Sequence, residues 1–150
     1  MAFDRTRNLR CRAVVKRIVL LVLYTAILIG ISWCADHPEL KHHLDAVKSL
    51  PGGDKLGHFL LVGGLTFILN WTLRCREFHF ARGRLLLGSA IVFVLFTIDE
   101  FTQIWRPARS FDLGDLFANY AGVLCFGVLA RVVVGGEKST QAPPPETPGS

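Results

Sequence analysis

The chain has 150 residues, 51% of them hydrophobic, with a formal net charge of +5. A mean hydropathy of +0.38, with the apolar residues gathered into blocks and not spread as amphipathic stripes, excludes an ordinary soluble domain and points to a small polytopic membrane protein. Most basic residues flank apolar runs, where they act as orientation signals and headgroup contacts, so the positive charge does not mark a nucleic-acid binder.

Residues 1–17 form a basic head in which Arg5, Arg7, Arg10, Arg12, Lys16 and Arg17 face a single acid, Asp4. Residues 18–34 follow as an apolar run broken only by Thr25, Ser32 and the polar aromatics Tyr24 and Trp33. The run is long for a signal-peptide core and no small-x-small cleavage site follows it. Trp33 directly before Cys34 also argues against a lipoprotein, so an uncleaved first transmembrane helix is expected.

A polar segment of mixed charge closes with Pro51, Gly52 and Gly53, a strong turn signal, and Asp54 behind it is the expected helix N-cap. The second apolar segment, residues 56–73, carries His58 near its start, the pair Gly63 and Gly64, and Asn70 near its end. Paired glycines in a membrane helix permit close helix packing. Arg74, Arg76, Arg82 and Arg84 then surround Glu77 in a segment expected to be a short basic loop.

The third segment, residues 85–101, turns polar only at Thr97, Asp99 and Glu100, and the fourth, residues 116–134, carries small residues suited to helix contacts. Between them lies a dense polar stretch with Gln103, Arg106, Arg109, Ser110, Asp112 and Asp115. Residues 135–150, rich in Gly, Ser, Thr and Pro, are expected to be a disordered cytoplasmic tail. The expected fold is therefore all-α: four transmembrane helices in a small bundle over residues 18–134, with a cytoplasmic head and tail.

Six Lys and Arg in the head and four in the second loop, against three (Lys41, Lys48, Lys55) and two (Arg106, Arg109) in the other loops, predict that both termini are cytoplasmic. Asp54, Lys55, His58, Glu100, Gln103, Arg109, Ser110, Asp112, Asp115 and Asn119 then fall at the extracytoplasmic surface. Asp54 and His58 are four apart, Glu100 and Gln103 three, and Asp112, Asp115 and Asn119 three and four, so each set shares a helix face. Three such faces are expected to converge on a shallow cleft between the second, third and fourth helices.

Asp54-Lys55-x-x-His58-Phe59, Glu100-x-x-Gln103, and Pro107-x-Arg109-Ser110-x-Asp112-x-x-Asp115-x-x-x-Asn119-x-x-Gly122 together resemble the VanZ-like family of integral membrane proteins. The resemblance covers roughly residues 54–134. One departure is Val62, where the family tends to have an aromatic residue, usually Tyr, four positions after the motif His. The family takes its name from an accessory protein of glycopeptide (teicoplanin) resistance. The resemblance thus implies a role in the bacterial cell envelope, in the inner membrane, with the motif residues as its site.

Blander roles compete for these residues. Asp112 and Asp115 suit a helix start as caps, Asp54 likewise, Arg109 can pair with Glu100 or Asp112, and Lys55 can snorkel to headgroups. Trp33 and Trp105 fit one interfacial belt and Trp71 the other. His58 and Glu100 are harder to explain this way, because an ionisable group within a membrane segment needs a partner or water.

Three chemistries remain open. The favoured one is recognition without turnover, in which the cleft binds an anionic envelope ligand: a lipid headgroup, a cell-wall precursor or a glycopeptide antibiotic. In the second, Arg109 and Lys55 hold an anionic lipid-linked or phosphate-bearing substrate while His58 and Glu100 move protons, although no hydrolase signature is present. The third is a structural subunit of an envelope complex. A divalent cation on His58, Glu100, Asp112 and Asp115 ranks lower because caps explain two of the ligands, and no metal centre or cofactor is assigned. His37, His42 and His43 lack ligand-like spacing. Cys11 and Cys75 are expected on the cytoplasmic side, Cys34 outside and Cys125 buried in the fourth helix, with no extracytoplasmic disulfide pair. The bilayer is the expected surrounding, and protein partners are left open.

Overall fold

The computed structural model describes residues 2–37, 39, 52–80, 83–105 and 112–140. Arg109 and Ser110 of the expected site lie outside the described residues, as do Arg106, His42, His43 and residues 141–150 of the tail. The described chain is all-helical apart from one small hairpin. Its elements are α1 (Ala2–Asp36), α2 (Gly53–Thr72), β1 (Glu77–Phe80), β2 (Gly83–Leu86), α3 (Leu87–Thr102), a 3₁₀ turn (Gln103–Trp105) and α4 (Leu113–Thr140).

Helix α1 runs straight through the basic head, since Arg and Lys are good helix formers and nothing in the head breaks a helix. Its 35 residues span about 52 Å at 1.5 Å per residue, well beyond a hydrocarbon core of about 30 Å. Helix α4 likewise continues past residue 134 to Thr140.

Among the described residues, three helices are long and apolar enough to cross a membrane: Cys11–Ala35, Leu87–Trp105 and Leu113–Gly136. The expected second span is an α-helix of 20 residues but is not among them. Lys55, His58, Asn70 and its glycines lower its apolarity, and it is the helix on which each of the other three packs. Buried Val62, Gly63, Leu65, Thr66, Ile68 and Asn70 line its inner surface.

α2 packs most extensively on α4 and more lightly on α1 and α3. The core between them is Val62, Leu65, Val92 and Val123, with Leu21, Tyr24, Leu28, Leu69 and Phe96 packed around it. Close approach of α2 and α4 needs Gly122, where a Cβ would lie 2.5 Å from the Phe59 carbonyl oxygen. The glycine pair serves two neighbours: Gly63 faces Phe126 of α4, and Gly64 faces the Tyr24 hydroxyl of α1. That hydroxyl donates to the Leu61 carbonyl at 3.0 Å, joining α1 to the middle of α2.

At the C-terminal end of α2, the Arg17 guanidinium stacks 4.5 Å over the Trp71 ring and donates to the Trp71 carbonyl at 3.4 Å. Asn70 Nδ2 donates to Ser89 Oγ of α3 at 2.9 Å. Thus α2 meets the start of α1's apolar run and the start of α3 at one end.

The segment expected as a basic loop is an antiparallel hairpin, with Glu77 opposite Leu86 and Phe80 opposite Gly83. Arg131 of α4 ties it down through Glu77 Oε1 at 3.0 Å and the Arg84 carbonyl at 3.4 Å. Leu85 and Leu86 consequently belong to the hairpin, and α3 starts at Leu87. Cys125, expected to be buried, is exposed, because it lies to one side of the Gly122 and Phe126 stripe through which α4 meets α2.

Candidate functional site

The start of α2 is set by Gly52, which occupies the N-cap position in the left-handed region (φ 74) and contributes no side-chain cap. Its carbonyl accepts the Leu56 N–H at 2.9 Å. Asp54 is therefore not the N-cap. It sits in the first turn, one helical turn before His58 and on the same face.

Lys55 reaches across to α4, donating to Asp112 Oδ2 at 2.8 Å and to Asp115 Oδ1 at 3.2 Å. The crossing passes over Gly114, where a Cβ would meet Lys55 Cε at 2.6 Å. Gly114 is a site residue that sequence reasoning missed, and its place between Asp112 and Asp115 was the available signal. Asp112 caps α4: its Oδ1 accepts the Gly114 N–H at 2.7 Å, while its carbonyl accepts Asp115 N–H at 3.1 Å and Leu116 N–H at 3.2 Å. The Lys55 ammonium, then the Gly114 N–H, hold the Asp112 carboxyl below the usual carboxylate range. In turn, Asp112 first and Asp115 second push the Lys55 pKa up.

His58, one turn further along α2, has Nδ1 3.2 Å from Asn119 Oδ1 and Nε2 3.6 Å from Asp115 Oδ2. Asp115 thus divides its two oxygens between Lys55 and His58. Asp54, His58 and Asp115 each offer a ligand atom, all within 4.8 Å of one another. Asp115 and Asn119 are buried, whereas the Lys55 side chain is 48% exposed at the rim.

Glu100, near the C-terminal end of α3, is only 1% exposed. Its Oε1 accepts the Asp112 N–H and its Oε2 accepts Gln103 Nε2, both at 3.2 Å. Each oxygen therefore has a donor, and the carboxylate fastens the end of α3 to the start of α4. Of the ten residues named from sequence, the eight that are described come together at one end of the bundle, linked through Asp112 and Asp115.

The family model described as VanZ/LLP1 matches residues 9–134. The chain belongs to the VanZ/LLP1 family. The match reaches upstream of the motif region to take in α1, so the helix that packs on α2 through Tyr24 is part of the family's unit. No curated protein and no solved structure matches the chain. In this VanZ/LLP1 chain Val62, which stands four residues after His58, is 1% exposed and fills the core.

Chemically, the cluster joins one ammonium, one imidazole and several carboxylates at one end of the bundle, with Asp115, Asn119 and Glu100 buried and Lys55 and Asp112 at the exposed rim. Lys55 has three donor hydrogens and spends two on aspartates, leaving one for a ligand at the exposed rim.

Proposed function

We propose that this VanZ/LLP1 membrane protein works in the bacterial cell envelope, where its polar helix ends recognise an anionic ligand: a lipid headgroup, a cell-wall precursor or a glycopeptide antibiotic. The observation that carries this reading is the linkage of Lys55, His58, Asp112, Asp115 and Asn119 across α2 and α4 at one end of the bundle. Lys55 at the rim is half exposed, so a ligand can reach the donor hydrogen it does not spend on the aspartates. Arg109, three residues before Asp112, supplies a second cation in this reading, with Ser110 as a hydrogen-bonding neighbour.

Residues 56–72 of α2 serve as the fourth crossing. They span about 26 Å, within reach of a hydrocarbon core of about 30 Å, and contact α1, α3 and α4 from Lys55 to Trp71. Arg17, Arg84 and Arg131 gather at the end opposite the site, which by the positive-inside rule is cytoplasmic. Both termini then lie in the cytoplasm and the site opens outward from the inner membrane.

A second reading, an enzyme acting on a lipid-linked or phosphate-bearing substrate, is favoured by the setting of His58 between Asn119 and Asp115, which orients an imidazole for proton transfer. Purification in detergent followed by native mass spectrometry tests both. A co-purified envelope molecule released unchanged supports recognition, and one released altered supports turnover. A protein that carries nothing beyond bulk lipid contradicts both.

A further inference from the structure

The set His58, Glu100, Asp112 and Asp115 does not form a metal centre as a group, because Asp112 is committed to Lys55 and the α4 cap and Glu100 to Asp112 N–H and Gln103. A different triad does gather. We propose that Asp54, His58 and Asp115 hold a divalent transition-metal ion of the zinc class, with Asn119 orienting His58 from behind.

The orientation of His58 is the first argument. With Asn119 Oδ1 as acceptor at 3.2 Å, Nδ1 carries a hydrogen. Nε2, the other ring nitrogen, then faces Asp115 Oδ2, 3.6 Å away. A proton on Nε2 or a metal ion between the two atoms each satisfies this pair, and the ion is the one that also engages the Asp54 carboxylate nearby. A metal-bound histidine typically donates its other ring N–H to an oxygen acceptor, the role Asn119 plays here.

The spacing is the second argument. Ligand atoms each about 2.1 Å from a shared ion lie roughly 3.0–3.6 Å apart at angles between right and trigonal. The His58 to Asp115 separation of 3.6 Å fits that range, and a carboxylate oxygen of Asp54 lies within 4.8 Å of both.

Charge is the third. Among the described residues at this corner, the carboxyl groups of Asp54, Glu100, Asp112 and Asp115 outnumber the one ammonium, Lys55, so a divalent ion adds positive charge where acids are in excess. Lys55 does not block the ion, since it takes Asp115 Oδ1 and leaves Oδ2 to the triad. A nitrogen with two carboxylate oxygens suits zinc and its first-row neighbours better than calcium or magnesium. Three protein ligands leave a coordination position open to water or to an anionic oxygen.

This inference goes beyond the ligand reading, because it concerns an ion the protein binds whether or not an envelope molecule is present. The test uses tag-free full-length protein in detergent, stripped with EDTA and titrated with Co²⁺, read by its visible d–d absorption, with zinc content measured by elemental analysis after loading and desalting. One ion per chain is expected. His58→Ala and Asp54→Asn should each abolish stoichiometric binding at wild-type helicity, Asn119→Ala should weaken it about tenfold, and His79→Ala, in the distant hairpin, should leave it unchanged. Failure of the wild-type chain to bind, or one-to-one binding that survives both His58→Ala and Asp54→Asn, overturns the proposal and leaves a protonated His58 paired with Asp115. Co-purification of an envelope molecule is read separately, so either result can fail alone.

Discussion

Lys55 and Asp112 are 57 positions apart in sequence and 2.8 Å apart in space. This contact fastens the first turn of α2 to the cap of α4, so both helices begin at one level and their following turns present His58 and Asn119 to each other.

The pair gives the protein a pH signature with two limbs. The Asp112 carboxyl is held below its usual range, so its contribution is complete above the unfolded value of about 3.9 and is lost as pH falls through the lower folded value. The Lys55 pKa is raised, so its contribution is complete below the unfolded value of about 10.4 and is lost as pH rises through the higher folded value. Thermal melting in detergent followed by tryptophan fluorescence should show a plateau between these limits. Asp112→Asn should flatten the acid limb, while an unchanged acid limb in that variant would refute the assignment.

Glu100 should separate anchoring from charge. Glu100→Ala leaves the Asp112 N–H and the Gln103 amide without their acceptor and should cost about 1–3 kcal/mol. Glu100→Gln keeps one acceptor oxygen and should cost less. Chemical denaturation of the purified variants gives the ordering, and equal losses would contradict the anchoring role.

Gly122 should tolerate no side chain. A Cβ there meets the Phe59 carbonyl oxygen at 2.5 Å, a backbone atom that moves only if α2 and α4 separate, so Gly122→Ala should destabilise by about 1–3 kcal/mol. Gly30, with nothing within 4 Å of its Cβ position, is the control, and Gly30→Ala should stay within about 0.5 kcal/mol. Similar melting of the two variants would refute the tight crossing.

Much of this architecture is legible in the residues, and the exceptions have physical reasons. The spacing of Asp54 to His58 and of Asp112 to Asp115 and Asn119 is a property of single helices, so their shared faces can be read directly. That Lys55 chooses Asp112 and Asp115 depends on how α2 and α4 cross, which rests on Gly63 and Gly122 contacts no local pattern encodes. The hairpin was missed because strands of four residues carry little periodicity, although Phe78 and Phe80 alternate with Glu77 and His79. Asp54 as a cap failed because the left-handed Gly52 starts the helix two residues earlier.

Orientation has its own test. In cysteine-free chains carrying one reporter, a Cys placed at Ser110 and the native Cys34 should both react with an impermeant reagent in intact cells, and Cys11 only after lysis. The reverse pattern would turn the bundle over.

The central claim, that these helix ends form a ligand site and not only a clasp, is tested most directly by native mass spectrometry on His58→Ala and Arg109→Ala beside the wild-type chain. Both variants should express and insert normally, match the wild type in helicity, and lose a co-purified envelope molecule that the wild type retains. Retention of that molecule at wild-type occupancy by both, or failure of both to insert, would contradict the account.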